Sequence, residues 1–307
     1  MGDVGSRDRQ VAVGSALVGG ARVIFHGAAR RLGLGRLRDS VRAADWWLAE
    51  PPQRLKDLDM GGQLPARAAA LTFDDGPDPA VTPRLLDVLS SSSVRATFFM
   101  CGLAAKNHPS LVRAVAADGH TIGGHSWDHR PMIRLSPAEW NRQVNDTHAL
   151  LEELTGSAVR WFRPPWGESD WSTRRRLRQE HIATVHWSVH GRDWTERNPS
   201  VITELVLRGL NPGAIVLLHD AIASFDSPTG IGNRRQLSQE PTLQAVDRIL
   251  HVSRQRNLDL IPLDELSVVR LPSLDQPRWR RTRSAQRRSS DIGLPEQLRQ
   301  GQSRRLN

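Results

Sequence analysis

The sequence predicts an α/β fold of parallel strands joined by crossover helices, and three observations carry that expectation. From Arg67 onward, short β-rich runs alternate with stretches whose apolar residues recur every three to four positions. Several of those stretches begin at Ser or Pro and stop close to Gly, as helices do. The chemically capable side chains fall where the β-rich runs end, which is where a parallel α/β fold gathers its loops.

The strands expected in chain order are "AAALTF" (68–73), "RATFFM" (95–100), "HTIGGH" (120–125), "VRWFRP" (159–164), "IATVHWSVH" (182–190), "AIVLLH" (214–219) and "LDLIPL" (258–263). The helices between them are "PRLLDVLSSS" from Pro83, "SLVRAVAADG" from Ser110, "SPAEWNRQVNDTHALLEELTG" from Ser136, "STRRRLRQEH" from Ser172, "SVITELVLRGL" from Ser200 and "PTLQAVDRILHVSRQR" from Pro241. Strict alternation of this kind implies parallel strands with crossovers. Seven such strands either close into an incomplete barrel or open into a doubly wound sheet. No internal repeat of short period is present.

A chain of 307 residues with 38% hydrophobic content, ten Trp and no Tyr reads as an ordinary globular protein with room for a full core. Its one cysteine, Cys101, excludes a disulfide framework and a cysteine cluster for zinc, and is expected to be a buried small apolar residue at the end of a strand. The net charge of +9 is unevenly spread. Residues 1–65 carry ten basic and seven acidic groups, residues 66–270 carry 23 of each, and residues 271–307 carry nine and three. A nucleic-acid domain shows its basic patch on the folded body. Here the body is neutral, so no nucleic-acid partner is expected.

The flanks are read as extensions of a domain at 66–270. Residues 1–65 contain "VAVGSALVGGA" (Val11–Ala21), too short to span a bilayer and followed by no convincing small-residue cleavage site. It is expected to be helical, packed on the domain or resting on a membrane surface. With no clear signal peptide, a cytoplasmic or membrane-associated location is favoured, with exposure to the cell wall the alternative. The tail, with "RWRRTRSAQRRSS", is expected to be solvated and disordered.

Within the domain, "LTFDDGPDP" sets Asp74 and Asp75 side by side at a strand end. Neighbouring carboxylates repel unless a cation or a division of labour separates them. "HSWDH" places His125 and His129 four residues apart, the spacing of one face of a helical turn. Alone that pair is a weak signal. With Asp75 it makes a three-ligand set with open positions, suited to Zn²⁺ and to other divalent ions such as Co²⁺, Ni²⁺ or Mn²⁺. One aspartate is then a ligand and the other a base. "WFRPPWG" uses consecutive prolines to fix the backbone that carries Arg163 and Trp166. "GRDW" adds Asp193 and Trp194, and "IVLLHD" ends a buried strand at His219.

TFDDGP, HSWDH, RPPWG, RDW and LLHD, in that order over residues 70–220, resemble the polysaccharide deacetylases of the NodB-homology group, carbohydrate esterase family four. The similarity covers residues 66–268. It implies a distorted, partly open (β/α) barrel of seven strands. It also implies Asp74 as general base, Asp75, His125 and His129 as metal ligands, and Arg163 as the residue that steadies the base. Trp166 would offer its backbone N–H to an oxyanion, Asp193 would support the acid and base network, Trp194 and Leu217 would contact substrate, and His219 would be the general acid. Members often carry an aspartate three residues before the Asp-Trp pair; this chain has His190 there, which alters the charge beside Asp193.

The resemblance implies a metal-dependent N-deacetylase of N-acetylglucosamine-type sugars, chitin oligomers or peptidoglycan. A deacylase of a small N-acylated metabolite or glycoside, using the same site, is the alternative, and a non-catalytic carbohydrate-binding protein with the same fold is the alternative of another class. A monomer is expected. Non-haem iron oxygenases also use two His and one carboxylate, but on all-β folds. There is no Walker phosphate loop, Rossmann glycine fingerprint or Gly-x-Ser-x-Gly elbow. "ASFDSPTGIGNRRQ" (Ala223–Gln236) follows His219 closely and is read as a lid or a plain connector, with Arg234 and Arg235 as candidate substrate contacts.

Overall fold

A computed structural model describes residues 66–223 and 239–266. The expected N-terminal helix, the Arg-rich tail and the segment 224–236 lie outside the described residues.

Eight strands form one curled parallel sheet: β1 (Ala68–Asp74), β2 (Thr97–Met100), β3 (Thr121–Gly124), β4 (Trp161–Phe162), β5 (Ala183–Thr184), β6 (Val189–His190), β7 (Ile215–His219) and β8 (Asp259–Ile261). The order is β5-β4-β3-β2-β1-β7-β6, and β8 pairs with the start of β1. Among the described residues no ladder joins β5 to β6, so the barrel is open at that seam. Helices α1 (Thr82–Ser91), α2 (Gly102–Asn107), α3 (Pro109–Ala117), α4 (Pro137–Trp140), α5 (Asp146–Thr155), α6 (Trp171–Gln179), α7 (Pro199–Gly209) and α8 (Glu240–Gln255) supply the crossovers. The incomplete barrel is the outcome of the two topologies the alternation allowed. Among the described residues no helix is long and apolar enough to cross a membrane.

Side-chain alternation along β1, β2 and β7 separates two of the apolar clusters. Leu71 and Phe73 of β1, Phe98 of β2 and Leu218 of β7 join Leu85 and Leu89 of α1, Val112 of α3 and Ile249 of α8 in the layer between sheet and helices. The opposite parity, Ala70, Phe99 and Ile215, packs with Trp161, Val185 and Leu263 inside the curl. Buried Cys101 follows β2 directly, as expected.

Three elements differ from expectation. The helix expected from Ser136 to Gly156 is interrupted by a π-helical turn at Asn141–Asn145 between α4 and α5. Helix α2 has six residues, too few for apolar spacing to announce it. The third concerns "IATVHWSVH", which is not one strand. Its first half, β5, pairs with β4 at one edge, and its second half, β6, pairs with β7 at the other. The chain between crosses the seam: the Val185 amide donates to the Phe162 carbonyl (2.9 Å) and the Ser188 amide donates to that of Ile215 (3.0 Å). Arg163 serves the crossing in place of a strand partner, donating from Nε to the Val185 carbonyl (3.2 Å) and from Nη2 to that of His186 (2.9 Å).

Candidate functional site

The strand ends deliver the expected residues to one rim. Asp74 closes β1 and His219 closes β7, and they are register partners. His125 follows β3, Arg163 follows β4, and Asp193 lies three residues past β6. The parity that points Asp74 and His219 toward the curl also points Thr72 and Leu217 there, a second register pair, both buried.

Asp74 is held by its Oδ1, which accepts from Arg163 Nη1 at 2.7 Å. The same Nη1 donates to Thr72 Oγ1 at 2.7 Å, and that hydroxyl donates to the Val216 carbonyl at 2.6 Å. Arg163 is fully buried, with its guanidinium 4.2 Å from the Phe99 ring centroid. A buried charge with carboxylate and carbonyl partners is retained, whereas an unpaired one costs several kcal/mol. The other Asp74 oxygen, Oδ2, lies 3.8 Å from His125 Nε2.

Asp75 has a left-handed φ of 80°, and it brings an oxygen to the same His125 Nε2 that Asp74 Oδ2 faces. Its Oδ2 accepts from the Ala223 amide at 2.9 Å. Its Oδ1 stands 3.2 Å from His125 Nε2 and 3.2 Å from His129 Nε2, and makes no hydrogen bond. His125 Nδ1 faces the Arg163 carbonyl at 2.7 Å. A carbonyl can only accept, so Nδ1 carries a proton and Nε2 is the nitrogen left for a metal, the tautomer a metal ligand needs. Burial pushes the Asp75 carboxyl up, but the two imidazoles, His129 foremost, hold it well below the usual carboxylate range.

Among the described residues, Asp75, His125 and His129 alone gather ligating atoms into such a group, all within 4.8 Å and all buried. Ligands about 2.0–2.1 Å from a tetrahedral ion stand about 3.3 Å apart. The observed 3.2 Å spacings and the unbonded Asp75 Oδ1 therefore fit a divalent cation. The helical turn expected for "HSWDH" is absent: residues 125–129 form a loop in which Ser126 (φ 65°) and His129 (φ 59°) are left-handed. That double reversal brings the imidazoles to one point. Such conformations cost about 1–3 kcal/mol each and gather at functional sites.

Trp166, also left-handed at φ 53°, packs edge-on against His129 with ring centroids 4.4 Å apart. Across the rim, His219 Nδ1 lies 2.9 Å from Asp193 Oδ1, and the His219 amide donates to Asp193 Oδ2 at 2.8 Å. A carboxylate on Nδ1 leaves Nε2 as the working nitrogen. Burial works against a charged His219 ring. Asp193, with Asp75 and Asp74 beyond it, outweighs burial and pushes its pKa up to about 9. Trp194 stands edge-on to His219, centroids 5.5 Å apart, and packs tilted against His190 at 5.2 Å. Burial, reinforced by Arg192, brings His190 down to about 4, so it is neutral where an aspartate would be charged.

Sequence reasoning missed four supporting groups. Thr72 anchors Arg163. Thr242 on α8 donates to Asp193 Oδ2 at 3.1 Å, and Gln239 Nε2 donates to the His219 carbonyl at 3.2 Å. The Ala223 amide secures Asp75. Thr72 opens the TFDDGP motif but was given no role, and the other three lie outside the motifs, so only position in space connects them to the site.

Comparison with known proteins finds related chains. The polysaccharide deacetylase family profile matches residues 61–185. A chitooligosaccharide deacetylase of Bradyrhizobium sp. (strain ANU 289) is 34% identical over 201 residues, covering 65% of this chain and 90% of that protein. Peptidoglycan-N-acetylglucosamine deacetylase PgdA of Listeria monocytogenes is 33% identical over 198 residues, or 64% of this chain; the match spans only 38% of the Listeria protein. The crystal structure of the Bc1960 peptidoglycan N-acetylglucosamine deacetylase superposes with a TM-score of 0.60 at 29% identity, covering 68% of this chain and 91% of that one.

Proposed function

This chain belongs to the polysaccharide deacetylase family, and from that membership we propose that it is a metal-dependent hydrolase of the acetamide in N-acetylglucosamine-type sugars. One observation supports the reading above the rest. Asp74 and His219 are register partners on adjacent strands, beside three converging ligand atoms, so a base, an acid and a cation site share one rim.

Asp75, His125 and His129 would hold the ion, and Zn²⁺ suits two imidazoles and one carboxylate. When bound, a divalent cation there lowers the pKa of water from ~15.7 toward ~7 and polarises the acyl carbonyl. Asp74, fixed through Oδ1 by Arg163, takes the proton of the attacking water on Oδ2. The backbone N–H at Trp166 faces the oxygen that gains charge, a contact whose loss typically costs ~2.7–4 kcal/mol of barrier. His219, kept protonated by Asp193, delivers its proton through Nε2 to the departing nitrogen. The C–N bond breaks, leaving acetate and a free amine. Leu217 lines the floor against the acetyl methyl, and Trp194 borders His219 on the substrate side. The working unit is residues 66–270, with 1–65 and 271–307 as extensions.

The test compares acetate release from chitin oligomers, peptidoglycan and small N-acetylated amines by the metal-loaded protein. His219→Ala should keep its metal by elemental analysis while turnover falls by ~10²- to 10⁴-fold, the usual worth of a general acid. Metal loss in that variant, or no acetate from any substrate, overturns the reading.

A further inference from the structure

The two imidazoles of the ligand cluster are fastened in different ways. His125 is fixed twice: its amide donates to the Met100 carbonyl at 2.9 Å, continuing the pairing of β2 with β3, and its Nδ1 donates to the Arg163 carbonyl at 2.7 Å. His129 has no such ring bond. It lies four residues farther along a loop with left-handed Ser126 and His129, and among the described residues its buried Nδ1 makes no hydrogen bond. In a metal-binding histidine the far ring nitrogen usually donates to a carboxylate or carbonyl, and that bond sets the direction of the ring. The Trp166 ring restrains His129 on one side. The rest of its aim comes from the backbone that carries it.

That backbone is pinned from two sides. The Gly102 amide donates to the Ser126 carbonyl (2.9 Å) and the Leu103 amide to the Trp127 carbonyl (2.8 Å). Opposite them, the Trp127 amide donates to Gln143 Oε1 at 2.9 Å, and the Asp128 amide to the same oxygen at 3.4 Å. Backbone amides only donate, so the Gln143 atom that faces them is its oxygen. Its Nε2 makes no hydrogen bond among the described residues, so the acceptor is the half of the carboxamide in use.

Gln143 is fully buried and stands in the middle of the π-helical turn Asn141–Asn145. One residue beyond the α-helical count rotates what precedes it by about 100°. Trp140 and Val144 accordingly pack with Met132 and Phe162, whereas Leu151, beyond the turn, packs in the layer between sheet and helices. The carbonyls of Gln143 and Val144 accept from Thr147 Oγ1 (3.0 Å) and His148 Nδ1 (2.9 Å), side-chain bonds that offset the widened turn. Such turns recur at functional sites. A regular helix through these residues would turn the Gln143 carboxamide away from the loop.

We propose that Gln143 is a positioning residue of the cation site: through the Trp127 and Asp128 amides it fixes the loop that holds His129 Nε2 toward Asp75 Oδ1. The inference rests on the reading of Asp75, His125 and His129 as ligands and adds a residue outside that cluster on which their affinity depends. Gln143 acts through backbone and is not itself a ligand.

The test is the Zn²⁺ affinity of the full chain, measured by competition with a chromogenic chelator, which needs no substrate. Gln143→Met keeps the volume and removes the acceptor, and its Kd should rise about tenfold or more, the usual effect of losing a group that orients a ligand. Gln143→Glu keeps an oxygen for both amides and should stay close to wild type. Where the Met variant fails to fold, Gln143→Asn, which withdraws the amide by one methylene, should show the same loss. Leu151→Ala removes packing beyond the turn, so it should lower the denaturant midpoint and leave Kd unchanged. The visible spectrum of the Co²⁺-loaded protein should shift in Gln143→Met and return in Gln143→Glu. Wild-type affinity in Gln143→Met, or a loss that Leu151→Ala reproduces, overturns the inference while leaving the cation site standing. A wild type that takes up no divalent ion overturns both. Ion binding that depends on Gln143 without acetate release sustains the inference and overturns the hydrolase reading instead.

Discussion

His190 shows how one neutral ring ties stability to pH. Burial and Arg192 depress its pKa from 6.5 to about 4, so the folded chain refuses a proton that the unfolded chain accepts. The stability contributed by the neutral ring is complete above pH ~6.5 and is lost as pH falls toward ~4, on the order of 3 kcal/mol. Denaturant titrations of metal-free protein at pH 7, 5.5 and 4.5 should show the wild type losing more stability than His190→Asn across this window. Parallel losses would exclude the account. His190 also packs, tilted, against the indole of Trp194, which borders His219, so a chain with a neutral group here carries one less negative charge beside its acid.

Strand β3 shows packing limits on both faces of one element. A Cβ on Gly123 would meet Phe99 Cδ1 at 2.6 Å, and one on Gly124 would meet His148 Cε1 at 2.7 Å. Neither glycine has a positive φ, so space and not backbone freedom selects them. Gly123→Ala should destabilise by about 1–3 kcal/mol through overpacking, measured as a shift in denaturant midpoint, and Phe99→Leu in the same chain should recover part of it. Most strands and the six longer helices were legible because apolar period and capping residues are local. The seam was not. "IATVHWSVH" carries a strand's composition throughout, and nothing local in it announces that Arg163, some twenty residues earlier in the chain, will take up two of its carbonyls. The motif residues given roles were equally legible, since they sit at strand ends or in the loops that follow, but Thr72, Thr242 and the Ala223 amide have identities too common to signal a role.

For the molecule as a unit, the ligand cluster joins the end of β1 to the loop after β3, two segments some fifty residues apart. A cation that binds only the folded chain stabilises it by mass action, about 2.7 kcal/mol at a hundredfold excess over Kd. Adding Zn²⁺ to chelator-treated wild type should therefore raise Tm, and His129→Ala or Asp75→Asn should abolish most of the rise. An undiminished rise in those variants would place the ion elsewhere. The opposite side of the rim has its own fastening. Asp193 receives the amide and ring of His219 together with the hydroxyl of Thr242, and Gln239 takes the carbonyl of the same histidine. The first turn of α8 thus sets the footing of the imidazole. A shift of that turn would swing the ring, and a disturbance arising well away from the sugar would be felt as a change in how promptly a proton reaches nitrogen.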